Sequence, residues 1–600
     1  MDEYWKRGVI MAMATMTHDP AEFIRSLKDK QYRSLGTELE RQAREWADKT
    51  AIIFEERSIT FSELNAQANR YANYFASLGF GHGDVVALLM ENRPEYLIAA
   101  SGLSKLGVIV SLINNGLKGK ALAHALNICD ARAVILGAEY LDEVMAVKNN
   151  IVFRAPGMFF VESEGRSLDL PDGLYDMRVL LEQAEDDNPS CTGEVSTEDV
   201  IVYIYTSGTT GLPKACAVSQ KRWLLLANLG IQIGHLKQDG VHYIALPLYH
   251  NSGFNVGYSA LLFYGNTMLL RRKFSATAFW DDVRKYNVGT FIYVGEMCRY
   301  IYNQPRKPDD ADNPLHCISG TGIRGDLIEP FKERFGVEYV TDTYGTTEGV
   351  GLMVNLEGIP GICGNLTVNG LRQGEIVRWD FEKECIIRDS DNHAIKCSPG
   401  ETGLLVCEIN ARNPFVGYVN NPQATEAKIL RNLLEDGDQF FDSGDLVKLH
   451  ERGNFSFVDR LGDNYRWKSE NISTNLISSV IDGFGQIEDA NVYGVTVPGM
   501  EGRCGMAALK LLDGEAIDWA EFSAYIVSEL PAYARPYFLR VRPILDANNS
   551  FKQVKKNLQK EGFDPSSISD PLYFLHPALE RYVPLTGQIY SEIIDQRFRF

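Results

Sequence analysis

Short apolar runs alternate with helix-like stretches from about residue 50 to residue 350, and this alternation constrains the fold more than any other feature. AIIF (51–54), VVALLM (85–90), ARAVIL (131–136), VIVYIYTSG (200–208), VHYIALPL (241–248), GTFIYVG (289–295) and VEYVTDTYG (337–345) are the runs, several of them separated by stretches with helical periodicity. After ITF, the positions Leu64, Ala68, Tyr71, Ala72 and Phe75 recur at helical spacing, with Ser62 as the expected N-cap. Such β–α alternation predicts parallel sheets covered by helices. Between 350 and 460 the pattern turns Gly-rich and β-like, as in TGLLVCEI and NFSFVDR. A smaller unit follows, with VYGVTVP, GMAALKLL and a helix near 522–530. The expected fold class is α/β, with a large N-terminal domain of parallel and mixed sheets plus a β-rich subdomain over 1–459. A small α+β C-terminal domain follows over 460–600, joined without a low-complexity linker and therefore by a tight hinge.

Charge and cysteine usage narrow the function classes. The net charge of −19 argues against a nucleic-acid partner, which calls for a basic surface. It also requires that any anionic ligand be held by local Lys, Arg and backbone N–H groups. Ten Cys are scattered without a CxxC pair or Cys/His ligand spacing, which reads as free thiols in a reducing compartment and not as a zinc site. The N-terminus has mixed charge and too short an apolar stretch for a secretory signal. No uninterrupted run reaches the roughly 20 apolar residues of a spanning helix, since YSALLFYGNTMLL is broken at Gly265 and Asn266. The chain reads as cytoplasmic.

The segment that carries chemistry is YTSGTTGLPK, residues 205–214, directly after an apolar strand. Small hydroxyl residues and two glycines leave backbone N–H groups open to oxygen anions, and Lys214 adds a positive charge. It is not the ordinary nucleotide P-loop, because Pro213 precedes Lys214 and Ala215 follows it. The competing reading is a polar strand-to-helix turn.

This loop resembles the signature loop of the adenylate-forming superfamily: acyl-CoA synthetases, peptide-synthetase adenylation domains and beetle luciferases. Three further stretches resemble that family's motifs in the same order. They are YGTTE (344–348) for adenine and magnesium, DSGD (442–445) for ribose with Ser443 where Thr is usual, and DRLGD (459–463) for the hinge. RWKSENIS (466–473), PLYHNSG (247–253), KFSATAFWDD (273–282), ARPYFLR (534–540) and the terminal EGFDP, DPLYFL and RYVPL stretches resemble fatty-acid transport proteins and very-long-chain acyl-CoA synthetases.

The resemblance implies an ATP-dependent ligase for a long-chain or very-long-chain fatty acid, with Mg2+ and coenzyme A as further requirements. It implies that Thr206, Ser207, Gly208, Thr209, Thr210, Gly211 and Lys214 cradle the β and γ phosphates. Tyr344 would stack on adenine beside Gly345 and Thr346, and Gly320, Thr321 and Gly322 of SGTGIR would line the adenine and acyl pockets. Thr347 would bond the α-phosphate or the substrate carboxylate, and Glu348 would hold Mg2+. Asp445 would accept from both ribose hydroxyls and Arg460 would add a donor. His250 reads either as a satisfied core histidine or as a wall of the acyl site. Lys552 aligns with the lysine that reaches the α-phosphate during adenylation. Lys555, Lys556 and Lys560 form a solvated helix face, or contact CoA phosphate or an anionic membrane.

In the same superfamily the C-terminal domain is mobile and rotates after adenylation. Gly462 takes the pivot position here, and Lys468 to Asn471 would approach the thioester site, with Ser469 in place of the subfamily's Gly. A fatty substrate leaves peripheral membrane contact open. Acyl transfer to a carrier protein, a bile or branched acid substrate, and a fatty-acid binding or uptake role are the alternatives.

Overall fold

The apolar runs become strands whose partners lie far away in sequence. The computed structural model describes residues 33–598, apart from 207–211, 356, 369, 382, 411–412, 462–464, 468–469, 499, 501 and 546–553. The chain divides into two units, one of residues up to Gln373 with Glu408–Leu430, the other of Gly374–Cys407 with the residues from Arg431 on. The expected division at 459/460 places the β-rich strands differently, with the larger part.

The first unit holds two large sheets. In one, Val85–Leu89 lies between Ile109–Leu112 and Ala133–Gly137, and Met158–Glu162 and Leu174–Asp176 extend it, all in parallel. Val200–Thr206 joins the other side, parallel to Ile109–Leu112. In the second sheet the parallel run is Thr50–Phe54, Thr267–Leu270, Val241–Ile244, Val288–Val294, Cys317–Thr321 and Tyr339–Tyr344. Short antiparallel strands, Arg57–Thr60 and Met353–Val354, close its two edges. Parallel strands need helical crossovers and two covered faces, which is why the central strands of the first sheet are almost wholly apolar. Val85–Leu89 and Ile109–Leu112 are buried at every position.

The helix after the first strands shows how the sequence sets a boundary. It spans Phe61–Ser77 and buries Leu64, Ala68, Tyr71, Ala72 and Phe75, the face expected from periodicity. Its cap is Thr60 and not Ser62. Thr60 Oγ1 accepts from the Glu63 N–H at 3.2 Å, and the Glu63 carboxylate accepts from the Thr60 N–H at 2.8 Å. This reciprocal box requires a residue with extended backbone three places before Glu63, and only Thr60 has that position. Farther on, Gly265 ends the helix Ser259–Tyr264 in a left-handed conformation (φ +81°), and the chain turns directly into Thr267–Leu270.

In the second unit, Gly374–Asp380, Thr402–Glu408, Gln439–Leu449 and Asn454–Arg460 belong to one sheet, with antiparallel pairing at each end of that run. A five-stranded sheet follows in the order Ile487–Val495, Cys504–Leu511, Phe538–Val541, Leu572–His576, Arg581–Pro584. Helices Thr474–Asp482 and Trp519–Glu529 contribute Ile477, Ile481, Phe522 and Ile526 to a core shared with these strands. That arrangement is α+β. No helix among the described residues is long and apolar enough to cross a membrane.

Candidate functional site

Lys214 is placed by a β-hairpin. Val200–Thr206 pairs antiparallel with Lys214–Ser219, and Thr206 lies opposite Lys214. The segment between them therefore connects two strands, so the strand-to-helix reading is corrected. The pairing brings the first and last positions of the loop side by side. Ser207, Gly208, Thr209, Thr210 and Gly211 lie outside the described residues. The Pro213 carbonyl meets the His124 ring at 3.1 Å, which fixes the chain just before Lys214.

Lys214 Nζ stands over the ring of Tyr418, 4.9 Å from its centroid. The Tyr418 hydroxyl donates to Glu348 Oε1 at 2.6 Å. One tyrosine thus joins the loop lysine to the acidic end of YGTTE. Backbone pairing holds Tyr418 there: it bridges Cys216 in antiparallel fashion, and the Val419 N–H donates to the Ala215 carbonyl at 2.9 Å.

YGTTE begins as the end of the strand Tyr339–Tyr344 and continues as a turn. Tyr344 is buried, whereas Gly345 is exposed and Thr346, Thr347 and Glu348 are half-buried. The turn is tied from outside by Arg222, whose guanidinium donates to the Thr347 carbonyl at 3.0 Å and to the Thr346 carbonyl at 3.5 Å. Its charge also faces Glu348, while burial pulls its pKa below the usual guanidinium range. Gly349 has φ +81°, and a Cβ there would lie 1.9 Å from the Arg222 guanidinium carbon. Glycine at 349 is what lets arginine reach the turn. Cys216 beside this group has its thiol pushed well up by burial and by Glu348, so it stays protonated.

The SGTGIR segment abuts the same strand. Gly320 faces Tyr293 across a parallel pair, and a Cβ on it would meet the Tyr293 carbonyl at 2.1 Å. Thr321 Oγ1 and Thr343 Oγ1 are 3.2 Å apart, and Gly322, at φ +81°, donates its N–H to Asp342 Oδ1 at 2.8 Å. The Tyr293 hydroxyl donates to the same oxygen at 3.1 Å. Burial pushes the Asp342 carboxyl up to about 7 against these two donors. Tyr344, Gly320, Thr321 and Gly322 therefore sit at adjoining strand ends, where ligands of open parallel sheets bind.

His250 follows the strand Val241–Ile244 and starts the helical segment, its carbonyl accepting from the Phe254 N–H at 3.0 Å. It is half-buried, with the Tyr249 ring 4.8 Å away. The fully buried histidine of the region is His242. Asn266 Nδ2 donates to its Nδ1 at 2.7 Å and its Nε2 donates to the Gly257 carbonyl at 3.0 Å, while burial lowers its pKa to about 4.

The second unit carries DSGD, and Asp459 and Arg460 of DRLGD, on neighbouring strands. Asp445 lies opposite Arg460, whose Nε donates to Asp445 Oδ1 at 3.1 Å. Ser443 Oγ donates to the Leu405 carbonyl at 2.6 Å and accepts from the Asp445 N–H at 3.0 Å. Both bonds are made by a hydroxyl that Ser and Thr share, which explains why Ser can stand there for Thr. Asp459 is buried and accepts from the Thr474 N–H at 2.9 Å and Thr474 Oγ1 at 3.0 Å. Lys555 donates to the same Thr474 hydroxyl and its charge faces Asp459, so it serves this internal network and not a solvated face. Gly462, Lys468, Ser469 and Lys552 lie outside the described residues.

Among the described residues no cluster of three or more His, Cys, Asp or Glu could by itself hold a metal ion. Glu348 offers a hard oxygen, with Oε1 engaged by Tyr418. A lone carboxylate fits Mg2+ that arrives with phosphate oxygens, since Mg2+ uses one or two protein carboxylates and completes its shell from substrate and water.

Arg222, Tyr418, Asp342 and Thr474 were not singled out from the sequence. Only Gly349, a glycine directly after the acidic residue, hinted at a close approach there.

A family model for AMP-binding enzymes matches residues 39–416. Long-chain fatty acid transport protein 2 of Rattus norvegicus is 36% identical over 568 residues, covering 93% of this chain and 90% of that protein. Medium/long-chain-fatty-acid–CoA ligase FadD6 of Mycobacterium tuberculosis is 34% identical over 561 residues, covering 93% and 91%. In fold, the chain is similar to O-succinylbenzoate coenzyme A synthetase of Bacillus subtilis in complex with AMP, with a TM-score of 0.69 at 23% identity over 88% of this chain and 98% of that one. Matched along most of its length by such relatives and by the family model across its signature loop and YGTTE turn, the chain belongs to the AMP-binding enzyme family.

Proposed function

We propose that this protein is an ATP-dependent long-chain or very-long-chain fatty acid–CoA ligase, working through an acyl-AMP intermediate and releasing AMP and pyrophosphate. The observation that carries the reading is the Lys214–Tyr418–Glu348 group, a cation and a carboxylate fixed within one unit by a single tyrosine. The full-length relatives, named as fatty acid transport proteins and a fatty-acid–CoA ligase, support the acyl substrate.

A carboxylate is a poor electrophile, because its charge repels nucleophiles. Attack of its oxygen on the α-phosphorus of ATP forms a mixed anhydride and expels pyrophosphate. The CoA thiol then attacks the acyl carbon, and AMP leaves. Both steps move charge onto phosphate oxygens, so positioning and electrostatic stabilisation dominate catalysis. In this reading the loop from Thr206 to Lys214 cradles the β and γ phosphates, and Glu348 holds Mg2+, which neutralises phosphate charge. Thr347 bonds the α-phosphate or the carboxylate, with Arg222 fixing its backbone. Tyr344, Gly345, Thr346 and Gly320–Gly322 form the adenine side. Asp445 takes the ribose hydroxyls, held by Arg460. Lys552 reaches the α-phosphate, and His250 borders the acyl chain.

We assign residues 1–459 to adenylation and 460–600 to a mobile lid that turns at Gly462 to admit CoA. We place the protein in the cytoplasm, touching a membrane surface to collect its substrate. A panel of carboxylates from C4 to C24, assayed for pyrophosphate and AMP release with and without CoA, tests the reading. AMP release that is strongest with long chains and rises with CoA supports it. Pyrophosphate release without CoA-dependent AMP release points to carrier-protein loading, and neither product with any acid leaves only a binding role.

A further inference from the structure

We infer that Tyr418 is a positioning residue that keeps the cation and the carboxylate of the ATP site apart, each ready for its own part of the nucleotide. The inference rests on the roles of Lys214 and Glu348 proposed above. Opposite charges in a half-buried setting attract strongly, and a flexible lysine beside a glutamate closes into an ion pair unless something intervenes. Among the described residues no ion pair joins Lys214 to Glu348. The Tyr418 ring lies beneath Nζ at 4.9 Å, and its hydroxyl is spent on Glu348 Oε1 at 2.6 Å.

Tyrosine suits this task because its two ends differ in polarity. The ring face attracts a cation, while the hydroxyl donates to an anion. Each charge is thereby partly satisfied by a neutral group that does not consume it. A direct ion pair would have to be broken before phosphate or metal could bind. Fixing Oε1 also sets the carboxylate plane, so that the other oxygen is presented to a hard cation. The ring itself is immobilised. Tyr418 is 6% exposed, its N–H donates to Thr425 Oγ1 at 2.9 Å, and its backbone bridges Cys216 on the strand that begins with Lys214. Gly417 before it has φ +88°, which turns the chain into that position. The tyrosine and the lysine are thus held by one piece of sheet, and their spacing does not depend on side-chain packing alone.

Two substitutions separate the two ends of the ring. Tyr418→Phe keeps the face under Lys214 and deletes the donor to Glu348; Tyr418→Leu deletes both. The readouts are Mn2+ binding to the full chain with ATP, measured by electron paramagnetic resonance without carboxylic acid, and ATP binding in EDTA by equilibrium dialysis. Loss of an outer partner of a metal ligand costs about tenfold in affinity. Tyr418→Phe is expected to weaken Mn2+ binding by that factor and to leave ATP binding in EDTA unchanged. Tyr418→Leu is expected to weaken Mn2+ binding equally and ATP binding in EDTA by about fivefold, through Lys214. Mn2+ binding by Tyr418→Phe equal to that of the parent would overturn the positioning role, as would equal losses by both variants in both readouts. Glu348→Gln is the control: if it too binds Mn2+ like the parent, the metal assignment of Glu348 falls together with this inference.

Discussion

Asp342 gives the structure a measurable dependence on pH. Its carboxyl is 4% exposed and is pushed up to about 7 by burial, although Tyr293 and the Gly322 N–H both donate to it. In the unfolded chain an aspartate titrates near 4. The raised value means that the folded state keeps a proton which the unfolded state has already released. Stability from this group is complete below about pH 4 and is lost as pH rises to about 7. A difference of about three pH units corresponds to about 4 kcal/mol at 1.36 kcal/mol per unit. Asp342→Asn preserves an oxygen for both donors and cannot ionise. Urea unfolding of parent and variant at intervals from pH 5 to pH 8.5 is the assay. The variant is expected to gain on the parent by about 1.4 kcal/mol per pH unit up to pH 7 and to keep a constant advantage above it. Parallel profiles for the two proteins would refute the reasoning, because they would mean that Asp342 ionises alike in both states.

Further outcomes follow from other residues. Arg222→Met removes the donors to the Thr346 and Thr347 carbonyls, at a cost of about 1.4 kcal/mol; the KM for ATP should rise about tenfold in steady-state assays, while an unchanged KM would remove Arg222 from the site. Gly320→Ala puts a Cβ 2.1 Å from the Tyr293 carbonyl, so the sheet must part locally; urea unfolding should show a loss of about 2–3 kcal/mol, and no loss would mean that the strand pair yields freely. Lys552→Ala should abolish acyl-AMP formation yet spare thioester formation from supplied acyl-AMP, and equal loss in both assays would discard the role. Gly462→Pro should do the reverse, because proline fixes φ at the pivot.

The sheets were legible because strands buried on both faces read as unbroken apolar runs, as Val85–Leu89 and Val200–Thr206 do. Membership of a sheet was not. Thr50–Phe54 pairs with Thr267–Leu270 more than two hundred residues away, while the next apolar run along the chain, Val85–Leu89, joins the other sheet. Periodicity carries no information about a partner that distant. The lysine and the acidic residue of the site were legible because their chemistry is local to two short stretches. Tyr418 was not, since it acts from a segment without distinctive composition and reaches Lys214 only through sheet pairing. Lys555 misread for a related reason: a Lys-rich run looks solvated until the strand and helix carrying Asp459 and Thr474 are brought beside it.

The central claim is that Lys214, held on its hairpin, grips ATP so that a fatty carboxylate can displace pyrophosphate. Incorporation of labelled pyrophosphate into ATP reports that reversal directly and needs no CoA. With palmitate present, the parent should exchange label and Lys214→Met should lose most of that rate, while neither exchanges without the acid. Equal exchange by both proteins, or none by the parent with any lipid acid, would contradict the account.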